Sequence, residues 1–300
     1  MEFFILTIYY EKHDEKEVNI LSHSSTSSIF MQYALGEAFS AKDGVYCYPA
    51  TDRDNGNRYI AKVHTFPAKP TTTEAFLLTG AFPNLETVNA YYREQARELT
   101  KQAAILNALS YSEYFSHYTI CQTEHKKDIG YDVWLLSSYR RSLTDVFNKV
   151  SLSKKDIINI GTQLCRGLTQ CREAGYMYIG IKPENIFLAP NGNFQIGDVG
   201  FIPTISLSYT ALPKRYHTIY SPPESHDLFS VISENADVYS VGVVLYQAVT
   251  GGKKPACIKN LPDSADNALS AVIMKACAPS PTKRWENPKA LEEALKKCLA

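Results

Sequence analysis

Short apolar runs separated by polar turns dominate the first part of the chain. They fall at Phe3 to Tyr10, Val18 to Leu21, Phe30 to Leu35, Val45 to Tyr48 and Tyr59 to Val63, with turn sequences such as Asp43-Gly44 and Asp54-Asn55-Gly56-Asn57 between the later ones. Runs of this length bounded by Gly, Asn and Asp predict strands. Residues 66–73 break the pattern with two prolines. A short helix is expected next, with Thr71 and Glu74 in capping-box spacing and Gly80 at its end. A longer helix is expected from Thr87 to Leu109, then strands at Tyr118 to Cys121 and Val133 to Leu136. Beyond these the period changes. Ser153 and Asp156 form a second capping box ahead of Ile157, Ile160, Leu164 and Leu168, whose spacing predicts an apolar helix stripe closed by Gly175. Short strands at Ile186 to Leu188 and Phe194 to Ile196 flank Asn191-Gly192-Asn193. Helices return from Ala236, the last with Asn287 as cap and Pro288 at its first position. A strand-rich first part with one long helix, followed by a helical part, predicts an α+β chain with two lobes. The boundaries are residues 1–138, including an extension of about 1–29, and residues 139–300.

At 300 residues the chain is long enough to bury a proper core. Lys plus Arg and Asp plus Glu both total 31, which removes the electrostatic argument for a nucleic-acid partner. The seven cysteines are widely spaced without a C-x-x-C, so they read as reduced thiols in a cytoplasmic setting, in this chain or in the cytosolic part of a larger one. The apolar start is shorter than the roughly 20 residues of a membrane span and reads as a strand. The seven histidines show no ligand spacing.

The chemistry concentrates between Glu173 and Gly200. Lys182-Pro183-Glu184-Asn185 is followed at a set distance by Asp198-Val199-Gly200; further on come Ser221-Pro222-Pro223-Glu224, Asp237-Val238-Tyr239-Ser240-Val241-Gly242 and Arg284. Upstream stands Tyr59-Ile60-Ala61-Lys62-Val63. In this order the set resembles the protein-kinase family: the β3 lysine strand, the H-R-D-x-K-x-x-N catalytic loop, D-F-G, A-P-E, the D-x-W-S-x-G helix start and the late arginine. The resemblance implies a bilobal protein-kinase-like fold, with a small β-rich N-lobe carrying one long helix and a larger helical C-lobe. It also implies ATP with Mg or Mn as cofactor. Lys62 then meets the α/β-phosphates, Asn185 and Asp198 hold the metal, and Lys182 and Gly36 complete the nucleotide site. Glu224, Arg284 and Asp237 take structural roles.

The departures from that pattern bear on function. Tyr178-Ile179-Gly180 stands where the family has H-R-D, so the carboxylate that accepts the substrate proton is replaced by Gly180 and no catalytic residue remains. Losing a positioned base forfeits about 10²–10⁴ in rate. Leu35-Gly36-Glu37-Ala38-Phe39-Ser40-Ala41 keeps only the first glycine of the phosphate-covering loop, and the family spacing puts Gln102 where the glutamate partner of Lys62 belongs, with Glu98 one turn earlier. Keeping ligand residues while losing the base points to a regulatory or scaffolding pseudokinase that binds ATP and a protein partner. Two alternatives stay open on the residues. One is an atypical transferase moving phosphoryl or nucleotidyl groups with a non-standard base. The other is a nucleotide-free interaction module.

Overall fold

The computed structural model describes residues 28–204, 218–226, 232–233, 235–261 and 266–299. The strands expected at Phe3 to Tyr10 and Val18 to Leu21 lie outside these. The chain divides into one unit of Met1–Ala104 with Tyr118–Tyr139, and a second of Ile105–His117 with Arg140–Ala300.

The first unit begins with α1 (Ser28–Gln32), β1 (Tyr33–Leu35), β2 (Ser40–Lys42), β3 (Val45–Asp52) and β4 (Arg58–Phe66). It continues through α2 (Thr71–Leu78), α3 (Leu85–Leu109), β5 (Ile120–His125) and β6 (Tyr131–Ser138). The strands form one antiparallel sheet, ordered β1-β3-β4-β6-β5 with β2 on β3. The β2–β3 hairpin turns at Asp43 and Gly44, whose φ of 51° and 76° suit the tight turn that follows right-handed strand twist. Alternation sends Ala61, Val63, Trp134, Leu136, Tyr48 and Ala50 into one cluster with Ile29 and Tyr33. Residues 30–32, expected as strand, instead finish α1, and both Ile29 in that helix and Tyr33 just after it are buried. Lys62 and His64 occupy the opposite face, paired across β6 with Leu135 and Val133. That face is the one α3 covers, for Thr100 bonds Thr123 at 3.2 Å and Asn89 bonds His125 at 3.2 Å. A buried stripe of Val88, Tyr92, Ala96, Leu99, Ala103 and Leu106 gives α3 its inward side. At α2 the expected Thr71–Glu74 box does not form. Pro70 is the cap residue, so Thr71 falls inside the helix, and the first free amides, of Thr72 and Thr73, bond the Lys69 and Pro70 carbonyls.

The second unit contains β7 (Arg141–Ser142), α4 (Leu143–Lys149), α5 (Lys154–Glu173), β8 (Tyr176–Tyr178), β9 (Ile186–Leu188) and β10 (Phe194–Ile196). It ends with β11 (Phe201–Pro203), α6 (Ala236–Val249), α7 (Asn267–Ala276) and α8 (Pro288–Lys297). Ser153 and Asp156 make the reciprocal cap at α5, Ser142 and Asp145 repeat it at α4, and Asn287 caps α8 ahead of Pro288. Helix α6 is buried on all sides from Ala236 to Ala248, which marks it as the axis on which this unit is packed. Two small sheets, β10-β9-β7 and β11-β8, lie on the helical body and carry the loops between β8 and β11. The architecture is α+β, a β-rich part followed by a helical one. No described helix is long and apolar enough to cross a membrane.

Candidate functional site

Helix α5 ends at Gly175, whose φ of 86° turns the chain into β8. Strand β8 pairs with β11 so that Tyr178 lies opposite Phe201, their rings 5.0 Å apart. Residues 179–182 then lead into a 3-10 turn at Pro183–Asn185, closed by the Asn185 amide on the Lys182 carbonyl at 2.9 Å. The β9–β10 hairpin follows, and the chain returns at Gly197 to Gly200. Two backbone bonds of 2.9 Å stitch the return to the outgoing loop, Gly197 N–H to the Asn185 carbonyl and Ile179 N–H to the Gly200 carbonyl.

Within this frame Tyr178 is fully buried, and its hydroxyl donates to the Gly197 carbonyl at 2.5 Å. In extended backbone, side chains two residues apart point the same way, so the phenol reaches the side-chain position of residue 180. A Cβ added to Gly180 would stand 2.5 Å from the Tyr178 hydroxyl and 2.6 Å from Cζ. The space a carboxylate at residue 180 would need is therefore taken by the tyrosine. Asn185, 6% exposed, donates through Nδ2 to the Gly180 carbonyl at 3.0 Å and more weakly to the Tyr178 hydroxyl at 3.5 Å. Lys182 and Asp198 are half-buried. Asp198 adopts a left-handed backbone with φ of 68°, a conformation that costs energy in non-glycine residues and that Asp tolerates better than most. Ile179 packs against the cluster of Met177, Ile202, Ile232 and Ala236.

The donor chemistry of Asp198 and Asn185 suits a hard divalent cation, since carboxylate and carbonyl oxygens beside water and phosphate are what Mg²⁺ prefers. The bond from the Gly197 amide to the Asn185 carbonyl brings the residue before Asp198 against Asn185. Among the described residues no cluster of three or more His, Cys, Asp or Glu forms a separate metal centre.

In the first unit, Lys62 lies at mid-strand in β4 on the face toward α3. The Gln102 amide donates to Glu98 at 3.1 Å, so the two residues considered as partners for Lys62 are bonded to each other. Gly36 follows β1 with its amide on the Pro49 carbonyl at 2.8 Å; a Cβ there would lie 2.8 Å from Pro49 Cγ, so close packing against β3 already requires this glycine. Ala38 packs on the sheet's apolar cluster.

The remaining motif residues are bound within the second unit. Arg284, fully buried, forms a two-pronged pair with Glu224 at 2.7 Å for each bond, and also donates to the Ala278 and Pro279 carbonyls. Ser233 bonds the same carboxylate at 2.5 Å. Burial pushes the Glu224 carboxyl up, but the bonds from Arg284 and Ser233 outweigh it and hold the group below the usual range. Asp237 at the start of α6 is fully buried and held by Arg172 Nε at 3.1 Å and Nη2 at 2.8 Å. Sequence reasoning missed Arg172, which stands 65 residues from Asp237 and in no motif. The hydrogen bond of the buried Tyr178 to the Gly197 carbonyl likewise has no signal in the sequence.

Residues 88–300 match the family described as protein kinase domain. Among curated proteins, a probable serine/threonine-protein kinase of Clostridium perfringens is 25% identical over 178 residues, 52% of this chain and 26% of that protein. A probable serine/threonine-protein kinase of Dictyostelium discoideum is 24% identical over 204 residues, 62% of this chain and 12% of that one. Serine/threonine-protein kinase PknL of Mycobacterium tuberculosis is 29% identical over 118 residues, 38% of this chain and 27% of its own length. The aligned segments thus span at most 27% of these three relatives. With the motifs in order, the α+β architecture and a match over most of its length, this chain belongs to the protein kinase family.

Proposed function

We propose that this chain is a pseudokinase, a regulatory or scaffolding member of the family that binds ATP with a divalent cation and acts through a protein partner rather than by transferring phosphate. The observation that carries the reading is the catalytic loop: Gly180 has no side chain, and Tyr178 fills the space where a base would project. Phosphoryl transfer draws almost entirely on positioning and electrostatics, so a buried phenol that donates its hydrogen bond to a carbonyl supplies no general base. The relatives' names, serine/threonine-protein kinases, fit the ancestry of the fold rather than this loop.

Nucleotide binding is supported by the surviving ligands. Asp198 and Asn185 would hold Mg²⁺ or Mn²⁺, and Lys62, assisted by Lys182, would neutralise the phosphates; bound metal screens their charge and fixes their geometry. Gln102 would tether Lys62 without neutralising it. The test is transfer of the terminal phosphate of ATP to generic protein acceptors with Mg²⁺ or Mn²⁺. No transfer is expected; metal-dependent transfer that disappears in Lys62→Ala would overturn the reading.

A further inference from the structure

We propose that the groove between α5 and α8 is a binding site for a phosphomonoester carried on a protein side chain, a phosphoserine or phosphothreonine of a partner. The site uses none of the residues assigned to nucleotide, and the proposal stands whether or not ATP binds. A cavity of about 330 Å³ opens in this groove, at the small end of the volumes that hold organic ligands. Its α5 wall is one stripe of that helix, Lys155, Asn159, Thr162 and Arg166, at the spacings of three and four that share a helix face. Helix α8 contributes Lys296.

Three cations meet two carboxylates here. Glu292, 8% exposed, accepts from Arg166 Nε at 2.8 Å and from Lys296 Nζ at 2.6 Å. Those bonds pin two long side chains on the cavity wall and so reduce the entropy lost when they grip a ligand. Asp156, the acid on the lining, takes the Ser153 amide at 2.9 Å and the Ser153 hydroxyl at 2.6 Å on one oxygen. With Lys155 counted, one positive charge is in excess, and the amino-terminal end of the 20-residue α5 adds to it. The uncommitted polar groups are mainly donors. The Phe194 amide on Gln163 Oε1 at 2.7 Å fixes the Gln163 side chain, whose Nε2 then donates to Asn159 Oδ1 at 3.3 Å, so Asn159 keeps its NH₂ for a ligand. Arg166 spends Nε on Glu292 and Nη1 on the Tyr114 hydroxyl at 3.3 Å, leaving Nη2, while both lysines keep protons to donate. The acceptors on the lining are Asp156 and Thr162, whose own proton goes to the Asn159 carbonyl at 3.0 Å. An acceptor-rich anion matches this set. A phosphomonoester, with three terminal oxygens and nearly two charges at pH 7, meets more of these donors than a carboxylate can. Buried Ile158 and exposed Leu299 add apolar wall for the body of the ligand, and that room favours a phosphorylated side chain over the bare anion.

Fluorescence anisotropy on the full chain, with one labelled peptide pool degenerate around a fixed phosphoserine and a second around serine, tests the site; inorganic phosphate serves as competitor. Lys155→Glu changes an exposed side chain and leaves both bonds to Glu292, and Lys296→Gln leaves Arg166 on Glu292, so either variant carries the test if the other fails to fold. The expected result is that the phosphoserine pool binds, the serine pool does not, and each variant weakens binding by about tenfold, the loss usual for one hydrogen bond to a charged group. Inorganic phosphate displaces the peptides only at much higher concentration than the peptides themselves need. No binding of the phosphoserine pool, equal binding of the two pools, or unchanged binding in both variants would overturn the site. Displacement by inorganic phosphate over the peptides' own concentration range would show that the anion alone is held, and would overturn the assignment to a protein side chain.

Discussion

Tyr178 and Gly180 act as a pair at the scale of single residues, and a change at one is felt through the other. Gly180→Asp reinstates a carboxylate but drives its Cβ into the phenol, an overpacking that costs about 1–3 kcal/mol. Denaturant unfolding should show that loss, and phosphate transfer by the variant should stay at background, because Gln102 and the glycine-poor loop are unchanged. Stability equal to wild type, or full activity, would show that the loop accommodates the acid freely. Glu224 and Arg284 form a second coupled pair, with Arg284 fully buried. Arg284→Met leaves Glu224 without its charged partner and should cost about 3–5 kcal/mol, read by the same unfolding measurement. The pair also fixes a sign with pH. Because the folded Glu224 carboxyl lies below its ordinary value of about 4.5, the unfolded chain takes up a proton first as pH falls. The pair's stabilisation is thus complete above about pH 4.5 and lost as pH drops toward the lowered folded value. Melting temperatures across that window should fall less steeply in Glu224→Gln; identical slopes would remove the pair from the acid response.

Helix starts show at the scale of elements which sequence signals survive folding. Ser153→Ala removes a reciprocal cap on α5 and should cost about 1 kcal/mol, whereas Thr71→Ala, at a cap that does not form, should stay within about 0.5 kcal/mol. Denaturation midpoints of the two variants check the contrast directly. The difference was not legible because both sequences carry the spacing; Pro70 beginning the turn one residue early decides it. Elements set by local pattern were legible: β3, β4, α3, α5 and the Asn287 cap follow from alternation, a long apolar stripe or a cap followed by proline. The five-residue α1 was not: Ile29 packs with residues of strands that come later in the chain, contacts that no local pattern announces. The order of the loop motifs was legible, being short and contiguous. Pairings such as Arg172 with Asp237 depend on which helices meet in space, and no spacing along the chain announces them.

At the scale of the whole molecule, a protein-kinase-family chain carries glycine at residue 180 of the loop after β8. Its balanced charge, 31 basic and 31 acidic residues, gives no net field to gather ATP from a distance, so the proposed ATP binding would rest on the local residues. ATP at 100 times its dissociation constant stabilises a folded protein by about 2.7 kcal/mol. The melting temperature should accordingly rise with ATP and Mg²⁺ or Mn²⁺, rise less without metal, and rise less again in Lys62→Ala and Asp198→Ala. Absence of any rise at saturating ATP would leave an interaction module that works without nucleotide. The central claim, that the site binds without turning over, is tested most directly by intact-mass spectrometry of the chain after long incubation with ATP and Mn²⁺, which reads phosphoryl and nucleotidyl additions together. The account predicts an unchanged mass, whereas a metal-dependent addition of phosphate or of a nucleotide, abolished by Lys62→Ala, would contradict it.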